Sequence, residues 1–140
     1  MIKHKQFLIF IFLLPVFILS SLQAGELKSG YEYLTQETRE MQDDNFANPG
    51  MTAVEEGRVE FHRAGVNDKS CATCHGENGS KLNLKKIARY PVYNKEFEKP
   101  FTLQEQINFC GEEYLDNVPY VYDCTDLIEL ETFVRYKARG

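Results

Sequence analysis

Hydrophobic positions in this chain fall into one dense block and three spaced sets. The block is Phe7–Leu19, thirteen residues interrupted only by Pro15. A helix that crosses a membrane needs about 20 such residues. The block therefore reads as the core of an export signal, with Lys3 and Lys5 before it and the small, polar stretch Ser20–Gly25 behind it. Cleavage is expected after Ala24, which makes residues 1–24 a signal peptide; an uncleaved anchor is the alternative, because Leu22 is a poor residue two places before that cut. Residues 25–51 are polar, with a short predicted helix over Thr35–Gln42 and a turn at Asn48-Pro49-Gly50. They read as an extension wrapped on a domain that occupies residues 52–140.

The first spaced set lies in residues 52–64, where Val54, Gly57, Val59 and Phe61 offer a partial apolar face to a helix. The second starts at Thr102-x-x-Glu105, a capping-box pattern. Leu103, Ile107 and Cys110 then recur at i, i+4 and i+7 and share one helical face. The third is the stripe Leu127, Leu130, Phe133 and Val134 in a final helix over Thr125–Ala138, with its cap at Thr125 or Asp126. Residues 76–101, rich in Gly, Asn, Lys and Pro, show little periodicity and read mostly as loop. The prediction is an all-α domain.

Charge narrows the partners. The whole chain carries −5, and removing residues 1–24 takes away two lysines and no acid, leaving −7. This balance speaks against nucleic acid or an anionic membrane surface and for basic protein partners or none. No stable membrane insertion is expected once the signal is cut, and no repeat or low-complexity tract appears.

Between the first and second sets stands Cys71-Ala72-Thr73-Cys74-His75, a Cys-x-x-Cys-His sequence. Each thiol can add across one vinyl group of the same porphyrin, and the adjacent His75 can present an imidazole nitrogen to the iron. The reading is one covalently attached haem c on Cys71, Cys74 and His75. A thioredoxin-like couple would need a βαβ setting, which the pattern lacks. A zinc site would have to recruit Cys110 and Cys124, which are not closely paired. An export signal upstream agrees with haem attachment outside the cytoplasm, and the expected compartment is the periplasm.

The order of elements resembles a class I cytochrome c domain: a helix with Gly57 and Phe61, the Cys pair, a loop, a middle helix and a closing amphipathic helix. The resemblance implies that the first and last helices cross closely at Gly57, with Leu130, Phe133 and Tyr136 as partners. The competing reading has Gly57 merely weakening a surface helix by about 1 kcal/mol. Most cytochromes of this class take a downstream Met as sixth iron ligand, but Met41 and Met51 both precede the haem motif. The downstream candidates are the thiolates of Cys110, on an apolar helix face, and Cys124, just before the final helix. Cys110 is preferred because it projects from a rigid helix; His62, the other histidine outside the signal, is a lesser alternative. A Cys110–Cys124 disulfide is the alternative use of these cysteines, worth about 3 kcal/mol. A thiolate ligand would give a low reduction potential.

A closer resemblance lies in Gly30–Thr35, Thr38–Asp44 and Phe46–Met51, continues through Cys71–His75, Ala88-Arg89-Tyr90-Pro91 and Gln106-Ile107-Asn108-Phe109-Cys110, and closes at Glu131–Gly140. These stretches are similar to the N-terminal part of the SoxA family, the c-type cytochrome subunits of the SoxAX complex. The resemblance implies a heterodimer with the cytochrome SoxX and a subunit of L-cysteine S-thiosulfotransferase, which couples thiosulfate to a cysteine of the carrier SoxYZ. It also implies Cys110 as axial ligand of the first haem, and leaves Cys124 without a role. Members have a second cytochrome c-like domain that holds the catalytic cysteine, so no catalytic residue is expected within this chain. The chain is then either a fragment of a longer protein or the product of a truncated gene, and a second Cys-x-x-Cys-His about a hundred residues past Gly140 would secure the assignment. The alternatives are a generic periplasmic electron-transfer cytochrome c and a docking platform for SoxX.

Overall fold

A computed structural model describes residues 28–139; the expected signal peptide and its cleavage site lie outside the described residues. The described residues fall into two units, 28–36 and 37–139. In the first, Gly30–Tyr33 forms a 3-10 turn whose start is capped by Ser29, its Oγ accepting the Tyr31 N–H at 3.3 Å.

The other elements are α1 (Gln36–Asp43), α2 (Gly50–His62), α3 (Cys71–His75), α4 (Leu84–Ile87), β1 (Val92–Asn94), β2 (Lys99–Phe101), α5 (Leu103–Leu115) and α6 (Thr125–Lys137). None of the described helices is long and apolar enough to cross a membrane. The organisation is helical, as the periodicity implies. α1 buries no residue.

The core is built where α2 crosses α6. Phe61 on α2 and Leu127, Leu130, Phe133 and Val134 on α6 are all buried. Full burial of such side chains stabilises by about 1.5–3 kcal/mol each. The Phe61 and Phe133 rings meet at 5.1 Å between centroids. Gly57 sits at the crossing: a Cβ there would collide with the Glu129 carbonyl and lie 2.9 Å from Cβ of Phe133. The small residue is therefore a requirement of the approach. Two details differ from the sequence reading. Val59 is half exposed, and the buried neighbour of Phe61 is Glu60. Positions 57 and 61 share a helical face that position 59 leaves by some 200°. Tyr136 lies beyond the core stripe, where its ring carries the Arg139 guanidinium at 3.7 Å.

α5 begins with the expected capping box. Thr102 Oγ1 accepts the Glu105 N–H at 3.1 Å, and Glu105 Oε2 accepts the Thr102 N–H at 2.7 Å. The helix ends at Asp116 in left-handed conformation, φ 55°. At the start of α6 the cap position falls on Cys124, whose side chain makes no capping bond. Asp126 instead faces Arg63 at 3.7 Å. Residues 76–101 hold more structure than their composition implies. Asn83 caps the single turn of α4, its Oδ1 accepting the Lys86 N–H at 3.0 Å. β1 and β2 form an antiparallel hairpin with Val92 opposite Phe101. Phe97 at its tip stacks on Phe101 and meets Phe109 of α5 edge-on.

Candidate haem site

α3 is the Cys-x-x-Cys-His sequence itself, folded as one helical turn. Its start is held by a reciprocal cap between Ser70 and Thr73, with Ser70 Oγ accepting the Thr73 N–H at 3.3 Å and Thr73 Oγ1 accepting the Ser70 N–H at 3.0 Å. The turn places Cys71 and His75 at i and i+4, on one face. That face borders a cavity of about 200 Å³. Cys74, three residues after Cys71, is exposed and does not border the cavity.

Three further walls complete the cavity. α5 presents Leu103, Gln106, Ile107 and Cys110; the loop after α3 and α4 present Leu82, Asn83, Lys86, Ile87 and Tyr90; the helix crossing supplies Phe61, Leu130 and Val134. The face read from Leu103, Ile107 and Cys110 thus points inward. Burial pushes the His75 imidazole pKa down, favouring the neutral form that can bind a metal ion. Burial, and secondarily the nearby Cys110, raises the Cys71 thiol to about 11.

The alternatives separate geometrically. Both ring nitrogens of His62 have partners of their own: Nδ1 lies 2.7 Å from the Arg58 carbonyl oxygen and Nε2 is 3.3 Å from Glu77. It does not border the cavity. Cys110 and Cys124 both carry free thiols, and only Cys110 lines the cavity. Among the described residues no cluster of three or more His, Cys, Asp or Glu side chains is placed to hold a metal ion, so the four cysteines are not gathered as a zinc site requires. Tyr90, Gln106, Lys86 and Ile87 are wall residues that the periodicity did not reveal. The available signal was the spacing of Gln106, one turn before Cys110, and the apolar pair Ile87 and Tyr90 in a polar stretch.

The walls fit a haem. They are apolar on most sides and offer Cys71, His75 and Cys110 to one cavity, while Cys74 stands on the same helical turn as Cys71, outside the wall. Lys86 supplies a cation near the cavity for an acidic substituent, with its Nζ 5.9 Å from the Tyr90 ring centroid.

Comparison with known proteins identifies the family. The family described as SoxA/TsdA, cytochrome c domain, matches residues 56–140. Among curated relatives, the L-cysteine S-thiosulfotransferase subunit SoxA of Pseudaminobacter salicylatoxidans is 33% identical over 80% of this chain and 39% of its own length. The subunit of the same description from Rhodovulum sulfidophilum is 30% identical over 82% of this chain and 40% of its own. The crystal structure of SoxXA from P. pantotrophus superposes with a TM-score of 0.64 at 25% identity, covering 77% of this chain and 40% of that one. The chain spans about two fifths of the length of these relatives. A cytochrome c domain is a haem-binding fold, and this chain belongs to the SoxA/TsdA cytochrome c domain family.

Proposed function

We propose that this chain is the haem-bearing first domain of a SoxA-type subunit, acting outside the cytoplasm in thiosulfate oxidation. Residues 1–24 serve as its export signal, 25–51 as an extension and 52–140 as the cytochrome c-like domain. Cys71 and Cys74 hold one haem c by thioether bonds, His75 is the proximal ligand and Cys110 the sixth. When bound, the haem supplies one-electron transfer. The protein excludes water with Leu103, Ile107, Leu130 and Val134 and keeps His75 neutral. By this reading the domain pairs with SoxX, and the longer subunit serves an L-cysteine S-thiosulfotransferase acting on SoxYZ. The thiosulfate chemistry itself belongs to residues outside this domain.

The observation that carries the proposal is that Cys71, His75 and Cys110, spread over forty positions, line one apolar cavity. Maturation of the chain in a bacterial periplasm, followed by denaturing electrophoresis and peroxidase staining for haem, is the test. A stained band at the mass of the protein is expected, and Cys71→Ala together with Cys74→Ala should abolish it. An unstained protein under these conditions would refute covalent attachment.

A further inference from the structure

We propose that Gln106 is a positioning residue for Cys110: its side-chain N–H holds the sulfur and draws charge from it, and Tyr90 sets the orientation of the amide. The proposal rests on the reading of Cys110 as an iron ligand. Gln106 stands one helical turn before Cys110 on α5, so the helix itself brings the two side chains together. Gln106 Nε2 donates to Cys110 Sγ at 3.3 Å. From the segment between α4 and β1, the buried Tyr90 donates its hydroxyl to Gln106 Oε1 at 3.0 Å.

The chain of donors has one productive direction. A thiolate accepts hydrogen bonds and cannot donate. Were the amide turned over, Oε1 would face the sulfur lone pairs across a cavity wall where Leu103 and Ile107 offer no donor. Tyr90 holds the oxygen on the far side and so aims Nε2 at the sulfur. Residues that orient a metal ligand tune its basicity and the potential of the metal. A hydrogen bond to a ligating sulfur withdraws electron density, lessens the preference for ferric iron and raises the potential above that of a bare thiolate. Gln106 does this without touching iron.

The test uses the haem-loaded chain and compares Gln106→Leu, Tyr90→Phe and Cys110→Met by redox titration and by the paramagnetic spectrum of the ferric form. Gln106→Leu should keep a His/thiolate spectrum with shifted g values. Its ferrous-to-ferric ratio at a fixed potential should fall on the order of tenfold, which is about 59 mV for one electron. Tyr90→Phe should move the potential in the same direction by less, since the amide keeps its N–H but loses its orienter. A purely structural Gln106 would change the melting temperature alone, so an unchanged potential and spectrum in Gln106→Leu overturns the proposal. Should Gln106→Leu not fold, an unchanged potential in Tyr90→Phe overturns it as well. Cys110→Met separates the two levels. If it abolishes the His/thiolate spectrum, the ligand reading stands and the Gln106 result is decisive by itself. If that spectrum survives, the ligand reading and this proposal fall together.

Discussion

A thiolate brings a negative charge to iron, whereas a thioether brings none, so the identity of residue 110 should govern the electronic character of the site. Cys110→Met is expected to raise the reduction potential by a few hundred millivolts, within the ~0.8 V over which axial ligands act. Cys124→Ser should leave the spectrum unchanged, because Cys124 lies outside the cavity wall, at the start of α6. A spectrum altered by Cys124→Ser, or a non-reduced peptide linking Cys110 to Cys124, would count against this assignment. At this scale the sequence was legible where chemistry imposes spacing. Two thiols and an imidazole within five residues, and an apolar face ending in Cys110, can be read without coordinates. Tyr90 could not be placed in the same way, because its direction depends on how the segment after α4 packs against α5. Gln106 looked like one polar residue among several on α5, and only its hydrogen bonds distinguish it.

At the scale of elements, the crossing of α2 with α6 is the most demanding contact. A methyl group at position 57 would meet a backbone carbonyl, that of Glu129, which cannot swing aside as a side chain can. Overpacking costs about 1–3 kcal/mol and sometimes more, against about 1 kcal/mol gained in helix propensity. Because the obstacle is backbone, the upper end of that cost applies, about 3 kcal/mol. Gly57→Ala should therefore lose about 2 kcal/mol net, lowering the melting temperature by about 8–16 °C. An unchanged or raised melting temperature would show that the helices stand further apart. The start of α5 gives a pH signature. The Lys99 ammonium, and after it the Thr102 N–H, hold the Glu105 carboxyl below its usual range. A depressed carboxyl contributes stability that is present above its unfolded pKa, about 4.3, and is lost as pH falls through the folded value. Glu105→Gln should thus cost about 0.5–1 kcal/mol at pH 7. The gap from the unmodified protein should close in acid; a constant gap from pH 7 to pH 3 would show that charge plays no part. α2, α5 and α6 were legible because each runs long enough to repeat its apolar face. The hairpin was not, since two three-residue strands give too few positions to show a period of two. α3 is likewise a single turn, stabilised by Ser70 and Thr73 rather than by periodicity.

At the scale of the whole molecule, charge is the property most open to test. The acidic excess of −5, or −7 without residues 1–24, persists after the local ion pairs are drawn, because pairing redistributes charge without changing its sum. Such a surface attracts basic surfaces at long range, and salt weakens that attraction over a screening length of about 8 Å at physiological ionic strength. The proposed pairing with SoxX can therefore be separated into steering and contact. Co-expression of the tagged chain with SoxX, followed by affinity recovery, should retain SoxX. Association measured in rising salt should slow several-fold between about 0.05 and 0.5 M, while dissociation changes less, since complementary charge acts mainly on the encounter. A lysine introduced at exposed Glu112 or Glu113 should shift the rate only if that end of α5 faces the partner, which locates the docking side. Recovery of no SoxX at any salt, by a chain that stains for haem, would leave the cytochrome assignment intact and favour a general electron carrier.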